Sequence, residues 1–259
     1  MDICTFFNFA MLLAYCSYSQ KTRETWVKWN KEVFDEWKSY FQIAIPVFLH
    51  AFFQYCLEYM LAIEVGFISI LFEVVHLTIM HNFSTVKSFP LGIGYAMYNL
   101  AGNAIGANYY GKCKKLFFSA LIEWSCFFAI LFGVVVYERT NISSLFFQTE
   151  EEILLMNEFL IYAMIYLFLV GIYQVLWGFF RAYGFQKKLY LVFVFIFAVI
   201  GQILCSILCF DFGFGLGLNG IWFSLMFVQF LLILYMITKY IQIDWEGHTR
   251  NIYLELKAK

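Results

Sequence analysis

The sequence predicts an all-α fold: a polytopic membrane helix bundle of six transmembrane helices, with a partial helix ahead of them. Three observations carry that expectation. Of the 259 residues, 63% are hydrophobic and only 14% charged. Apolar stretches of about 20 residues or more, enough to cross a bilayer, recur along the chain. The basic residues fall almost entirely on alternate loops, as they do when a chain is threaded through a membrane.

Taken in order, the apolar stretch at 3–18 is too short for a full span. It starts with Asp2 in place of a basic region and has no clear small-residue cleavage site, so it reads as the last half of a membrane helix rather than a secretory signal. Residues 19–39 are polar and carry Trp26, Trp29, Trp37 and several lysines, which suits an amphipathic connector lying on the cytoplasmic membrane surface. Spans follow at about 40–68, 71–99, 115–137, 153–179, 189–210 and 218–241. Pro46 and Pro90 fall inside the first two. Neighbouring helices can re-satisfy the backbone groups that proline frees, so both read as kinks and not as helix ends. The end of the chain, with Trp245 and Lys257, reads as a second surface helix. The expected layout is a partial transmembrane helix at 1–18, a connector at 19–39, a six-helix lobe at 40–242 and a cytoplasmic tail at 243–259.

Of the 17 lysines and arginines, all but Arg139 and Lys87 lie on one set of loops or at the ends. Acids such as Glu73, Glu138, Glu150 to Glu152 and Asp211 mark the opposite side. A multi-pass membrane protein with both ends of the lobe cytoplasmic follows. The net charge of −1 is thus sorted by side, and no basic surface for nucleic acid results. The seven cysteines form no CxxC pair and sit mostly in spans, as small apolar packing residues would.

Some patterns look like chemistry and read better as structure. Gly106 to Lys112 fits the opening of a phosphate-binding loop, but Cys113 stands where Ser or Thr would bind magnesium and a helix precedes it. Gly215 to Gly220 spells GxGxxG between two membrane helices, where a tight turn is the simpler reading. His76 and His81, five apart, lie on different helix faces with no third ligand nearby. No metal or cofactor is expected.

The ionisable residues within spans need a reason, because a charge at the bilayer centre costs about 2.5–3.5 kcal/mol even on the gentler insertion scale. They are Glu58 and Glu64 in the first span, Lys87 in the second and Glu123 in the third. Counting from the shared outer loop sets Glu58 level with His81 and Asn82, and Gln54 level with Lys87, so a polar pocket between the first two helices is expected. It reads either as a proton- or cation-binding carboxylate in a watery cavity or as a static ion pair. Glu64, nearer the outer surface, reads more simply as a snorkelling side chain. Asn103 and its neighbouring glycines read as a helix-end cap and close-packing sites.

Six segments then stand in a particular order: Ala44-Ile45-Pro46, Pro90-Leu91-Gly92, GNAIGA at 102–107, GFFRAYGFQK at 178–187, LNGIW at 218–222 and Asp244-Trp245-Glu246. Together they resemble the C-terminal half of a multidrug and toxic compound extrusion (MATE) transporter of the eukaryotic branch. The residues of those segments that the resemblance marks as structural are Pro46, Pro90, Gly92, Gly102, Asn103, Gly106, Gly178, Arg181, Gly184 and Gly220.

The resemblance implies two six-helix lobes facing each other across a central cavity, of which this chain supplies one. The 3–18 stretch would be the end of a sixth helix, and the missing N-terminal lobe would be supplied in cis or in trans. It implies secondary active export of organic cations or other xenobiotics by proton or sodium antiport, with the lipid bilayer, the cargo and the ion as partners. The alternative is a truncated half-transporter without activity of its own. No enzyme is expected, since no nucleophile, base and metal constellation is visible.

The family places a Glu eight residues after the first proline, where this chain has Gln54. Glu58 lies one turn on, in a Cys56-Leu57-Glu58 run that resembles the family's own. Gln54, Glu58 and Lys87 are therefore the ion-coupling candidates. Glu64, His81, Asn82, Tyr55, Tyr59, Tyr166, Tyr173 and Gln174 are the cavity candidates, the aromatic ones because ring faces attract cations. Two other family positions are changed: an Arg before the GlyAsn motif reads Leu100, and an acid eleven residues before Arg181 reads Val170.

Overall fold

The computed structural model describes residues 2–23, 31–35 and 37–258, and these divide into two units, Met1–Gln42 and Ile43–Lys259. The first unit contains α1 (Asp2–Tyr18), the short α2 (Gln20–Arg23) and a 3₁₀ turn at Lys31–Phe34. Trp26 and Trp29 of the expected connector lie outside the described residues. Phe34 packs against Trp37, ring centroids 4.8 Å apart.

The second unit is a bundle of long helices over all six expected stretches. They are α3 (Trp37–Ile68), which starts in the first unit, α4 (Ile70–Gly106), α5 (Tyr110–Phe146) and α6 (Glu150–Ala182). A rod over Gln186–Cys209 follows, made of α7 (Gln186–Phe193), a π-helical segment (Val194–Gly201) and α8 (Gln202–Cys209), and then α9 (Leu218–Gln242). Five of the six are long and apolar enough to cross a membrane. Helix α4 is long enough, at 37 residues, but Glu73, His76, His81 and Lys87 dilute its apolar character. A short amphipathic helix, α10 (Trp245–Lys257), ends the chain.

Both prolines are carried inside their helices, as expected. The centre of the bundle is α6: 67% of its most apolar window is buried, against 17% for α3 and 11% for α5. Its start is capped by Thr149, whose hydroxyl accepts from Glu152 N and donates to the Glu152 carboxylate at 2.6 Å. The acids Glu150, Glu151 and Glu152 occupy the first turn, where the helix dipole favours negative charge. Trp124 of α5 fills the space where a Cβ on Gly171 would stand, and its indole N–H donates to Phe168 O at 3.1 Å.

The α4–α6 crossing is closer still. A Cβ on Gly178 would sit 2.2 Å from Gly94 O, and one on Gly94 would sit 2.7 Å from Gln174 O. Only hydrogen at both positions permits this approach. By contrast, Gly92, Gly102 and Gly106 have open space where a Cβ would stand, so the expectation of close packing around Asn103 is corrected. The cap reading shifts too. Asn103 contributes only its main-chain carbonyl, to Ala107 N, and the chain turns at Asn108, whose φ of 54° is a left-handed conformation that asparagine tolerates.

At the same end of the bundle, α10 packs against α4 and α5. Trp245 is not a surface anchor: it is buried and packs edge-on or tilted among Phe179, Phe180, Tyr183 and Tyr240. Asp244 caps the helix by accepting from Gly247 N at 3.1 Å. The Thr249 hydroxyl gives its proton to Trp245 O at 2.7 Å, so the Tyr183 hydroxyl donates to Thr249 Oγ1 at 2.9 Å. Burial pushes the Tyr183 phenol above its ordinary pKa, which keeps that donor protonated. Tyr183→Phe should therefore cost about 0.5–1.5 kcal/mol, read as a lower melting temperature in detergent, and leave the rest of the bundle intact.

Candidate functional site

A cleft of about 230 Å³ opens between α3, α4 and α6, with Gln54, Glu58, Lys87, Gln174, Trp177 and Arg181 among its walls. Its chemistry is set by one contact: Lys87 Nζ donates to Glu58 Oε1 at 2.9 Å, with the side chains 15% and 20% exposed. The expected pocket between the first two helices thus exists, but in a different register. Glu58 and Lys87 lie 11 and 18 residues from Ser69 at the turn, an offset of seven residues or about 10 Å along a helix axis. Two long side chains reaching towards each other bridge that offset, which a residue count alone does not register.

The same shift corrects two cavity candidates. His81 is exposed, and Asn82 turns its amide back to Thr78 O at 2.8 Å; neither lines the cleft. Tyr59 is 67% exposed and also lies outside it, whereas Tyr55, 64% exposed, forms part of its rim. Tyr166 is fully buried behind the ion pair, with Lys87 Nζ 5.6 Å from its ring centre. Gln174 is buried and lines the wall, as expected. Gln54 lines the cleft one turn from Glu58.

Glu64 belongs elsewhere. Six residues beyond Glu58, it is rotated by about 120° around the helix and faces α8, where it accepts from the Gln202 amide and from Ser206 Oγ at 3.3 Å. Its other oxygen, Oε2, is buried without a hydrogen-bond partner, so the snorkelling reading is corrected. Glu123 is exposed in a separate groove between α4 and α5.

Two cleft residues escaped the sequence reading. His50 is buried, its Nε2 2.7 Å from the hydroxyl of Tyr173, and stacked on Trp177 at 4.1 Å between ring centres. Both belong to regular series that could have shown them. His50, Gln54 and Glu58 recur every four residues on one face of α3, and Tyr173, Trp177 and Arg181 do the same on α6. At the far end, the Arg181 guanidinium lies 4.6 Å over Tyr98 and 5.9 Å from the ring of Tyr95. Val170, in the place of the family's acid, is one more apolar wall residue.

Gly184 and Gly220 are explained by the backbone. Gly184 has φ 79° in the turn after α6, and a Cβ on Gly220 would press on Leu208 at 2.8 Å. Gly215 and Gly217 also have positive φ, so the GxGxxG pattern is the turn into α9.

A helical membrane bundle with a polar, aromatic-walled cleft on one face defines the class of the protein. Comparison places it within that class. The MatE family model matches residues 46–207, and the chain belongs to that family. Multidrug and toxin extrusion protein 2 of Oryctolagus cuniculus is 25% identical over 249 residues, covering 94% of this chain and 40% of its own length. Multidrug and toxin extrusion protein 1 of Danio rerio is 25% identical over 260 residues, 93% of this chain and again 40% of its own. The crystal structure of the eukaryotic MATE transporter AtDTX14 superimposes with a TM-score of 0.84 at 16% identity, over 96% of this chain and 56% of that one. The chain therefore spans about two fifths of the length of these curated relatives and has the fold of one part of a MATE transporter.

Proposed function

We propose that this chain is the C-terminal lobe of a secondary active exporter of amphipathic organic cations. Its cleft holds the cargo, and Glu58 is the carboxylate at which cargo and a proton or sodium ion exchange. The missing N-terminal lobe would close the cleft from the other side, in cis or as a separate chain, and both ends of this lobe would face the cytoplasm. The observation that carries the reading is the partly open Glu58–Lys87 pair at 2.9 Å. A sealed ion pair would only tie two helices together, whereas this one lies at the wall of a cleft where another cation can compete with Lys87. Tyr55, Tyr95 and Trp177 supply ring faces beside it, suited to a desolvated organic cation.

A second reading, a cargo with an acidic group, is favoured by the charge count: Lys87 and Arg181 face one carboxylate in the same cleft. Equilibrium binding separates the two. Quenching of tryptophan fluorescence by an aromatic quaternary ammonium probe should saturate in the purified chain and weaken at least tenfold in Glu58→Gln, with Trp177→Phe retaining binding at reduced quenching. Saturation by an aromatic carboxylate alone, unaffected by Glu58→Gln, would establish the second reading instead.

A further inference from the structure

The molecule holds a second intramembrane carboxylate with a different problem. Glu58 has Lys87; among the described residues no basic group forms an ion pair with Glu64. The groups that face Glu64 are neutral. From α8 they are the Gln202 amide, the Ser206 hydroxyl and, on the same turn, the Cys205 thiol. The next acid along, Glu73 of α4, lies against Gly66, beyond Glu64 on α3. Glu64 Oε2 is buried and unpartnered. An ionised carboxylate in that setting lacks a counter-charge, and a protonated one with its hydrogen on Oε2 lacks an acceptor; either is costly in a low-dielectric surrounding.

The surroundings are built to present oxygen. Gln202 and Ser206 are four apart and share a face of α8. Gln202 stands directly after the π-helical segment Val194–Gly201, and Ser206 one turn further on; such segments recur at functional sites. The side-chain amide of Gln202 presents nitrogen or oxygen after a half-turn, at no cost in shape. Next to it lies a cavity of about 10 Å³, walled mainly by apolar side chains such as Leu57, Leu61 and Phe197, with Gln202 and Ser224 as its polar lining.

We infer that Glu64, Gln202 and Ser206 form a binding site for a monovalent cation between α3 and α8, separate from the cargo cleft. Carboxylate, amide and hydroxyl oxygens are the ligand set of a hard cation. The single negative charge matches one positive charge, and a divalent ion would leave an uncompensated charge in the bundle. Occupation balances the charge of Glu64 and ties α3 to α8. The inference rests on the transport reading and adds a second ion site to the exchange carboxylate Glu58, and it can be tested without cargo.

The experiment is thermal unfolding of the purified chain in detergent at pH 8, in sodium chloride against choline chloride at equal ionic strength. Sodium should raise the melting temperature in a saturable way, as a ligand of the folded state does. All variants are made on the Glu58→Gln/Lys87→Gln background, which has no ion-exchanging carboxylate in the cargo cleft, so that failure of this site and failure of the cleft are distinguishable. On that background the rise should persist, and Glu64→Gln should abolish it. Ser206→Ala, which removes one ligand and little packing, should move the half-saturating sodium concentration up at least threefold. If sodium has no effect but acidification in choline stabilises the background protein and not its Glu64→Gln variant, the monovalent cation is the proton and the site stands. A sodium or pH response that survives Glu64→Gln on this background overturns the site, as does the absence of both responses in the background protein.

Discussion

When the chain is joined to an N-terminal lobe of the same family and reconstituted in vesicles, Glu58→Gln should reduce ion-driven uptake of an organic cation to background, and Gln54→Ala should leave it close to wild type. Exchange requires a group that binds cargo and ion in turn, and alternating access alone supplies no coupling between them. A glutamine at 58 keeps the shape and can still accept a hydrogen bond, but it neither releases a proton nor carries the charge that holds a cation. Gln54 lines the same cleft and has neither property to lose.

One complication is that Glu58→Gln strands Lys87, and breaking an ion pair from one side leaves an uncompensated charge. The double variant Glu58→Gln/Lys87→Gln removes both charges. It should unfold at a temperature near that of the wild type and still fail to exchange, which assigns the loss to chemistry and not to folding. Unchanged uptake in Glu58→Gln would move the role to Glu64 or Glu123.

How much of this was legible in the sequence depends on the length scale. Helices, their order and the sorting of charge by side are properties of 20-residue stretches, and the transfer of side chains to lipid decides them. The six helices duly lie where hydropathy puts them, extended by more than a turn at the C-terminal end of α4 and at both ends of α5, because capping residues such as Thr149 and turn residues such as Asn108 set the limits instead of hydropathy. A polar pocket between α3 and α4 was also legible, since two opposite charges in adjacent spans have few other ways to be accommodated.

Residue partners were less so. The count from the turn set Glu58 against His81 and Asn82, because it treats the helices as flush cylinders and their side chains as points, whereas the Lys87 side chain reaches Glu58 at 2.9 Å. Glu64 was misread as snorkelling because its partners, Gln202 and Ser206, are 138 and 142 residues away, and no local pattern signals such a meeting. The glycines divide in the same way. Gly178 and Gly102 both sit in family motifs, but only Gly178 faces another backbone.

That division gives the last prediction a built-in control. In a helix interior, exchanging glycine for alanine stabilises by about 0.5–1 kcal/mol where there is room, because the backbone loses less freedom on folding. Gly92→Ala and Gly102→Ala, each with nothing within 4 Å of the new methyl, should therefore raise the melting temperature slightly or leave it unchanged. Gly178→Ala should act in the opposite direction. Its Cβ would stand 2.2 Å from the Gly94 carbonyl oxygen and 3.1 Å from Gly94 Cα, and main-chain atoms of a central helix cannot turn aside as a side chain would. Helices α4 and α6 must separate, at a cost of about 1–3 kcal/mol by analogy with overpacked cores, or about 2–4 °C per kcal/mol for a chain of this size. Gly94 and Gln174 also line the cleft that holds Glu58, so the separation should widen it and weaken binding of the quaternary ammonium probe. Gly94→Ala forces the same two helices apart, against Gln174 O at 2.7 Å, and the double variant should cost less than the two singles combined because one displacement accommodates both methyls. A melting temperature for Gly178→Ala equal to that of Gly102→Ala would show that the two helices do not meet at this crossing.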